Sequence, residues 1–228
     1  MSLNLDELKL VLTDDGSYTL THPSLPETYH SRFGAVTEAT AVFLENSTVK
    51  QRLQQGRETA VLEIGFGSGL NSMLTAACAN HYQSKLTYIA YEKQLPPVSI
   101  IVELLSKNLR DCEFGINNLQ HAMANPPITN IAINSHCNLT IINEDVRNSV
   151  IPPNTFDAIY LDAFSVSQNP NLWQAEFLTT LHRSLRPGCT LATYSVNRVF
   201  KDALSAAGFS WQKRPGPAGK REVIVATA

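Results

Sequence analysis

The sequence predicts an α/β fold: a mostly parallel sheet with helices on both faces and an antiparallel hairpin at one edge. Three observations carry this. From about residue 60, short runs of Ile, Leu, Val and aromatics alternate with stretches of helical apolar spacing. That alternation means parallel strands joined by crossover helices. The first run ends in closely spaced glycines, and the last two are separated only by "RPGPAGK" (214–220), a hairpin turn.

Taken in order, residues 1–55 read as an N-terminal extension, with strands near 8–12 and 17–20 and a helix near 35–54. The main domain is expected over 56–228. "AVLEIGFG" (60–67) is a buried strand, and "LNSMLTAACAN" (70–80) a helix packed by Leu70, Leu74 and Ala77. "KLTYIAYEK" (85–93) is the second strand. Proline opens the helix "PPVSIIVELLSKNL" (96–109). Asn, Pro and Ile clusters make 110–137 a short helical insertion. "NLTIIN" (138–143) and "FDAIYLDA" (156–163) are further strands. A helix near 171–185, the strand "TLATYSV" (190–196) and a helix near 197–207 ending at Gly208 follow. "FSWQK" (209–213) and "REVIVAT" (221–227) complete a seven-stranded sheet.

Composition excludes several classes. No run approaches the eighteen apolar residues of a membrane span, and the amino terminus lacks the basic start and apolar core of a secretory signal. Cys78, Cys112, Cys137 and Cys189 form no CxxC pair, so neither a zinc site nor a disulfide framework is expected, and a reducing cytoplasm is the default. The six His show no ligand spacing, so no metal is implied. A net charge of −2 argues against a general nucleic-acid binder. Yet eight of the eighteen Lys and Arg lie from residue 183 onward, against only Asp202 and Glu222. That end is either a solvated surface or a local phosphate-binding face.

The most informative stretch is "LEIGFGSGLN" (62–71). Gly65, Gly67 and Gly69 follow a strand and open a helix, where a backbone turns sharply and approaches a ligand. A dinucleotide fingerprint would need glycine where Leu70 stands, so GxGxG favours another adenosine-containing ligand. Ser68 lies between Gly67 and Gly69, which is not the GxSxG of a hydrolase. Glu92 ends the second strand, 27 residues after Gly65, where open α/β sheets place an acid on ribose hydroxyls. Asp145, in "NEDVRN" (143–148), either accepts from an adenine amine or caps a helix. Asp162 ends the fourth strand as a local cap or as an acid at a pocket lip. Three consecutive strand-end acids beside one glycine turn make a shared site the better account.

This arrangement resembles the class I S-adenosylmethionine-dependent methyltransferases, whose fold is Rossmann-like. The resemblance implies S-adenosylmethionine as cofactor. It assigns Glu63, Gly65, Gly67, Gly69, Asn71, Glu92, Lys93, Asp145, Val146 and Asp162 to its site. A closer likeness rests on ordered blocks: Asp162-Ala163-Phe164, Asn169-Pro170 with Trp173, "GCTLAT" (188–193), Lys213-Arg214, Lys220-Arg221-Glu222, and a leader containing Tyr29, His30, Ser31, Gly34 and Glu38. These resemble the methyltransferase part of the bacterial tRNA 5-methylaminomethyl-2-thiouridine biosynthesis family. Cys189 departs from a glycine there, and Gly216-Pro217-Ala218 from the usual tail loop.

The likeness implies N-methylation of 5-aminomethyl-(2-thio)uridine at the tRNA wobble position. Asp162 would be catalytic, holding the substrate amine and taking or relaying its proton. Phe164 either packs or offers a face to a flipped base, with Asn169 and Pro170 as the wall beside it. Lys213, Arg214, Lys220 and Arg221 would contact phosphates of the anticodon stem-loop. Tyr29 and Ser31 either close over the cofactor or cap a leader helix. Bifunctional members carry a flavin-dependent oxidase for which 228 residues leave no room, so a separate enzyme is expected to supply the aminomethyl group. Trp173 and Trp211 are expected simply to pack. Two alternatives stay open: transfer to a small-molecule amine, and a non-catalytic RNA-binding module of the same fold.

Overall fold

The computed structural model describes residues 4–124 and 130–228. The extension begins with an antiparallel pair, β1 (Lys9–Leu12) and β2 (Tyr18–Thr21). Helix α1 (Ala35–Glu38) widens into a π-type segment over Ala39–Glu45, and α2 (Val49–Gln54) follows. The expected helix over 35–54 is thus broken at Thr48, whose φ is +68°, before α2 restarts. Strand β3 (Thr59–Ile64), α3 (Leu70–His81), β4 (Leu86–Tyr91) and α4 (Val98–Asn108) come next. Then follow α5 (Glu113–Ala124), β5 (Ile131–Asn134), β6 (Cys137–Ile142), β7 (Phe156–Leu161) and α6 (Ala175–Ser184). Strand β8 (Leu185–Thr193), α7 (Arg198–Ala206), β9 (Ser210–Pro215) and β10 (Glu222–Thr227) close the chain.

The large sheet runs β5-β6-β4-β3-β7-β8-β10-β9. Its five central strands are parallel, while β5, β10 and β9 pair antiparallel. The class is the expected one, but the sheet has eight strands rather than seven. The addition, β5, lies inside the 110–137 insertion, which is a helix followed by an edge strand; its residues 125–129 lie outside the described residues. Only Ile131 and Ile133 face inward there, so the apolar signal is short.

Strand alternation splits the core into two layers. Val61, Ala158, Tyr160, Ala192 and Val223 face one, with α3 and α4. Leu62, Ile159, Leu161, Leu191 and Ile224 face the other, with α6 and α7. Extension residues Leu20, Val42, Phe43 and Leu53 are buried in the first layer, so the extension shares the main core. Asn108 clamps it from α4, accepting from the Tyr18 N–H at 2.7 Å and donating to its carbonyl at 2.8 Å. Trp173 is buried and donates its indole N–H to the Phe164 carbonyl, which anchors the loop after β7.

Candidate active site

After β3 the chain crosses to β4 and β6, then returns to β7 on the other side of β3. The carboxyl ends of β3 and β7 therefore meet at the point where strand order reverses, the usual ligand crevice of an open α/β sheet. Gly65 and Gly67 occupy it with φ of +95° and +52°, and Gly69, at +77°, leads on into α3. A Cβ on Gly65 would stand 2.7 Å from the Asp162 carbonyl oxygen, and one on Gly67 3.1 Å from the Tyr29 ring. Only glycine permits both the backbone sign and this approach.

A cleft of about 1100 Å³ opens over the turn. Tyr29, Gly65, Gly67, Glu92, Lys93, Asp145, Val146, Asp162, Phe164, Asn169 and Pro170 all line it. Glu92 Oε2 accepts from the Gly67 N–H at 3.0 Å and Oε1 from the Gln94 N–H at 2.9 Å. The carboxylate also faces the cleft, where it can accept from a vicinal diol. Burial raises the Glu92 carboxyl above its usual range, and those backbone donors partly offset it. Asp145 takes up its cap role: it accepts from the Arg147 N–H at 3.1 Å and from Nη2 at 2.6 Å, and pairs with Lys93 at 3.3 Å. Hydrogen bonding by Arg147 holds its carboxyl well below the ordinary range.

Asp162 sits above a buried polar network. Asn71 spends both amide hydrogens on acids, one to Asp162 Oδ2 at 2.7 Å and one to Glu63 Oε1 at 2.8 Å. Neither Asn71 nor Glu63 reaches the cleft wall; they fix Asp162 from behind. Burial pushes the Glu63 carboxyl well above its ordinary range, which favours its neutral form behind Asp162. Burial also raises Asp162 well above the carboxylate range, and the Glu38 charge adds to it, while Asn71 and Lys220 pull it back. His30 Nε2 lies 3.9 Å from Asp162 Oδ2. Burial, helped by Lys220, lowers the His30 pKa to about 4, so the ring is neutral.

A second cavity, of about 370 Å³, lies across Asp162 from the cleft. Tyr29, His30, Asp162, Ala163 and Phe164 wall both. Tyr29 and Phe164 meet edge to face at 5.1 Å. The far side carries Glu27, Glu38, Tyr194 and Lys220.

Some residues stand elsewhere than the sequence reading put them. Ser31 lines only the second cavity, where its hydroxyl accepts from the Phe33 N–H, so it does not cover the cleft. Gly69 lies under the Phe66 ring as the left-handed residue before α3. Lys220 turns inward to Glu38, at 3.2 and 3.1 Å, instead of outward to phosphate, because burying Glu38 unpaired would be costlier. Lys213 pairs with Glu222 at 2.6 Å. Arg214 and Arg221 remain exposed. Sequence reasoning missed Glu38, Tyr194 and the site role of His30. The signal for Glu38 was present: it lies on the apolar stripe of Ala35, Ala39 and Val42, where an acid needs a partner.

The fold and cleft define a class: an α/β protein that binds an adenosine-containing ligand at a glycine turn and presents an acid beside it. Comparison with known proteins narrows this. Residues 113–228 match the model of a family described as S-adenosyl-L-methionine-dependent methyltransferase, and the chain belongs to that family. It is 34% identical over 229 residues to the tRNA 5-methylaminomethyl-2-thiouridine biosynthesis bifunctional protein MnmC of Aromatoleum aromaticum, covering 96% of this chain and 35% of that protein. The same-named protein of Burkholderia multivorans is 30% identical, with coverages of 95% and 34%. The chain thus spans about one third of the length of the curated relatives it matches. The crystal structure of MnmC2 from Aquifex aeolicus superposes with a TM-score of 0.76 at 24% identity, covering 96% of this chain and 70% of that one, a likeness of fold.

The cofactor of this family is S-adenosylmethionine, and the cleft fits it. The Gly67 backbone approaches without a side chain, Glu92 offers two accepting oxygens, and apolar Phe66, Tyr91, Val146 and Leu172 supply flat walls. Among the described residues no cluster could hold a metal ion, and no helix is long and apolar enough to cross a membrane.

Proposed function

We propose that this chain methylates the amine of 5-aminomethyl-(2-thio)uridine at the wobble position of tRNA, giving 5-methylaminomethyl-(2-thio)uridine. One observation carries the reading: Asp162 stands in the wall shared by a glycine-turn cleft and a second, acid-lined cavity. The printed names of the curated relatives supply the substrate class. When bound, S-adenosylmethionine supplies a methyl group on a sulfonium, open to an aligned lone pair. Gly65, Gly67, Glu92, Lys93, Asp145 and Val146 hold it, with Asp145 acting alongside its Arg147 pairing.

Asp162 faces the incoming amine. An alkylammonium has no free lone pair, so a proton must leave before attack. Asp162 takes it in its ionised form, and the burial that raises its pKa makes that carboxylate the stronger base. With the amine neutral, Asp162 would hold its remaining hydrogens and turn the lone pair toward the methyl group that the cofactor supplies. Tyr29 and Phe164 exclude water and present ring edges and faces to the base. Arg214 and Arg221, exposed on the edge hairpin, contact the anticodon stem-loop backbone, and Asn169 and Pro170 form the wall that the base passes. In this reading residues 1–55 work with 56–228 as one unit, since Tyr29, His30 and Glu38 belong to the site. Action on tRNA puts the protein in the cytoplasm, with an upstream modification reaction supplying the aminomethyl group.

A small-molecule amine acceptor is the second reading, favoured by the internal pairing of Lys213 and Lys220, which leaves less charge for phosphate. Charge reversal at Arg214 and Arg221 separates the two. The tRNA reading expects a large rise in KM for tRNA and a flatter salt dependence. Unchanged kinetics would support the small acceptor.

A further inference from the structure

The edge hairpin sends a lysine inward. Lys220 belongs to the turn between β9 and β10, among basic neighbours that face solvent. Its ammonium nevertheless lies 3.2 and 3.1 Å from the two Glu38 oxygens and 4.1 Å from the centre of the Tyr194 ring. A buried carboxylate beside an aromatic face is the chemistry that recognises an ammonium group. The cavity around it holds three carboxylates, Glu27, Glu38 and Asp162, against this one lysine, with Arg32 exposed at its rim. The His30 ring, buried in the same wall, leaves Nδ1 without a partner.

We propose that this cavity is a built subsite for a primary alkylammonium group, and that the Lys220 ammonium occupies it as an internal stand-in until an acceptor displaces it. The inference deepens the amine-acceptor reading and rests on it for the identity of the natural occupant. Lysine and an aminomethyl group end in the same primary ammonium on a methylene. Whatever satisfies Lys220 at Glu38 and Tyr194 satisfies the acceptor, and Asp162 is then in the adjoining wall. The turn can withdraw without unzipping the sheet, because Lys220 precedes β10 and is held by a turn bond, its N–H to the Pro217 carbonyl at 2.9 Å. Phe33 packs on Gly219 beside it and is 52% exposed, a cover that yields easily. Specificity follows: a primary ammonium donates to Glu38, as Lys220 does to Oε1, whereas a quaternary one has no hydrogen to give.

The test reads folding rather than methylation, so its failure is distinct from failure of the tRNA reading. Lys220→Met strips Glu38 of its partner and is expected to lower Tm by on the order of 10 °C. Ethylammonium chloride is expected to restore most of that loss, whereas sodium chloride and tetramethylammonium chloride at equal ionic strength are not. The Glu38→Gln/Lys220→Met double variant is expected to show no ethylammonium response. If Lys220→Met does not fold alone, its refolding yield in ethylammonium against sodium salts gives the same readout. Equal behaviour in the three salts, or a response that survives in the double variant, overturns the proposal. With an aminomethyl-bearing tRNA, KM for Lys220→Met is expected to hold or fall. A rise of about tenfold, as for a lost phosphate contact, also overturns it.

Discussion

Asp162→Asn separates binding from chemistry. The change keeps the shape of the side chain, and rotation of the new amide can still offer oxygen to the Asn71 N–H that now donates at 2.7 Å. What it removes is a carboxylate that burial and the Glu38 charge have raised well above the usual range. Loss of a positioned base typically costs about 10²–10⁴ in rate, so kcat is expected to fall by that factor. Glu92 and the Gly67 N–H that donates to it at 3.0 Å, on the cleft side of the turn, are untouched. Calorimetric affinity for S-adenosylmethionine should therefore stay within about threefold, under ~0.7 kcal/mol. Single-turnover methylation and titration calorimetry on the same preparation measure both. Parallel loss of affinity and rate would move Asp162 to the donor site, and an unchanged rate would remove it from the chemistry.

Gly65→Ala puts a Cβ 2.7 Å from the Asp162 carbonyl oxygen at φ +95°, so backbone must shift at the centre of the site; calorimetry should find cofactor affinity lost together with several degrees of Tm. Glu63→Gln tests the buried, upward-shifted carboxyl behind Asp162. Its folded pKa is raised above the ordinary 4.5, so wild-type stability is fully present below that value and is lost as pH rises through the folded pKa. The variant should match wild type near pH 4 and exceed it increasingly at higher pH in thermal melts. Asp157, 3% exposed, accepts from Arg52 and Arg186 at 2.7 Å each and from the Ala60 N–H at 2.8 Å. Asp157→Ala strands Arg52 and should cost about 3–5 kcal/mol in urea denaturation.

Much of the fold was legible because apolar runs of β3, β4, β6 and β7 are long and are followed by glycine or an acid. The C-terminal hairpin was legible from its turn. Strand β5 was not, since two inward isoleucines on an edge give too little pattern. The break at Thr48 was hidden by apolar spacing that continues through it. In the site, the strand-end acids were readable because three of them follow consecutive buried runs beside one glycine turn, although each alone could be a cap. Asp145 was ambiguous by nature: one carboxylate caps a turn and lines the cleft at once. Lys220 was misread because its partner, Glu38, lies 182 residues away, and a basic tail looks the same whether its side chains face water or a buried acid.

The central claim is that an amine on tRNA receives the methyl group. Anticodon stem-loops carrying 5-aminomethyl-2-thiouridine, 5-hydroxymethyluridine or unmodified uridine at the wobble position are incubated with labelled S-adenosylmethionine, then digested and weighed by mass spectrometry. The account expects one methyl on the aminomethyl nitrogen and none on the other two. Folded protein that binds the donor yet leaves the aminomethyl nucleoside unmethylated, or that methylates the comparators equally, would contradict it.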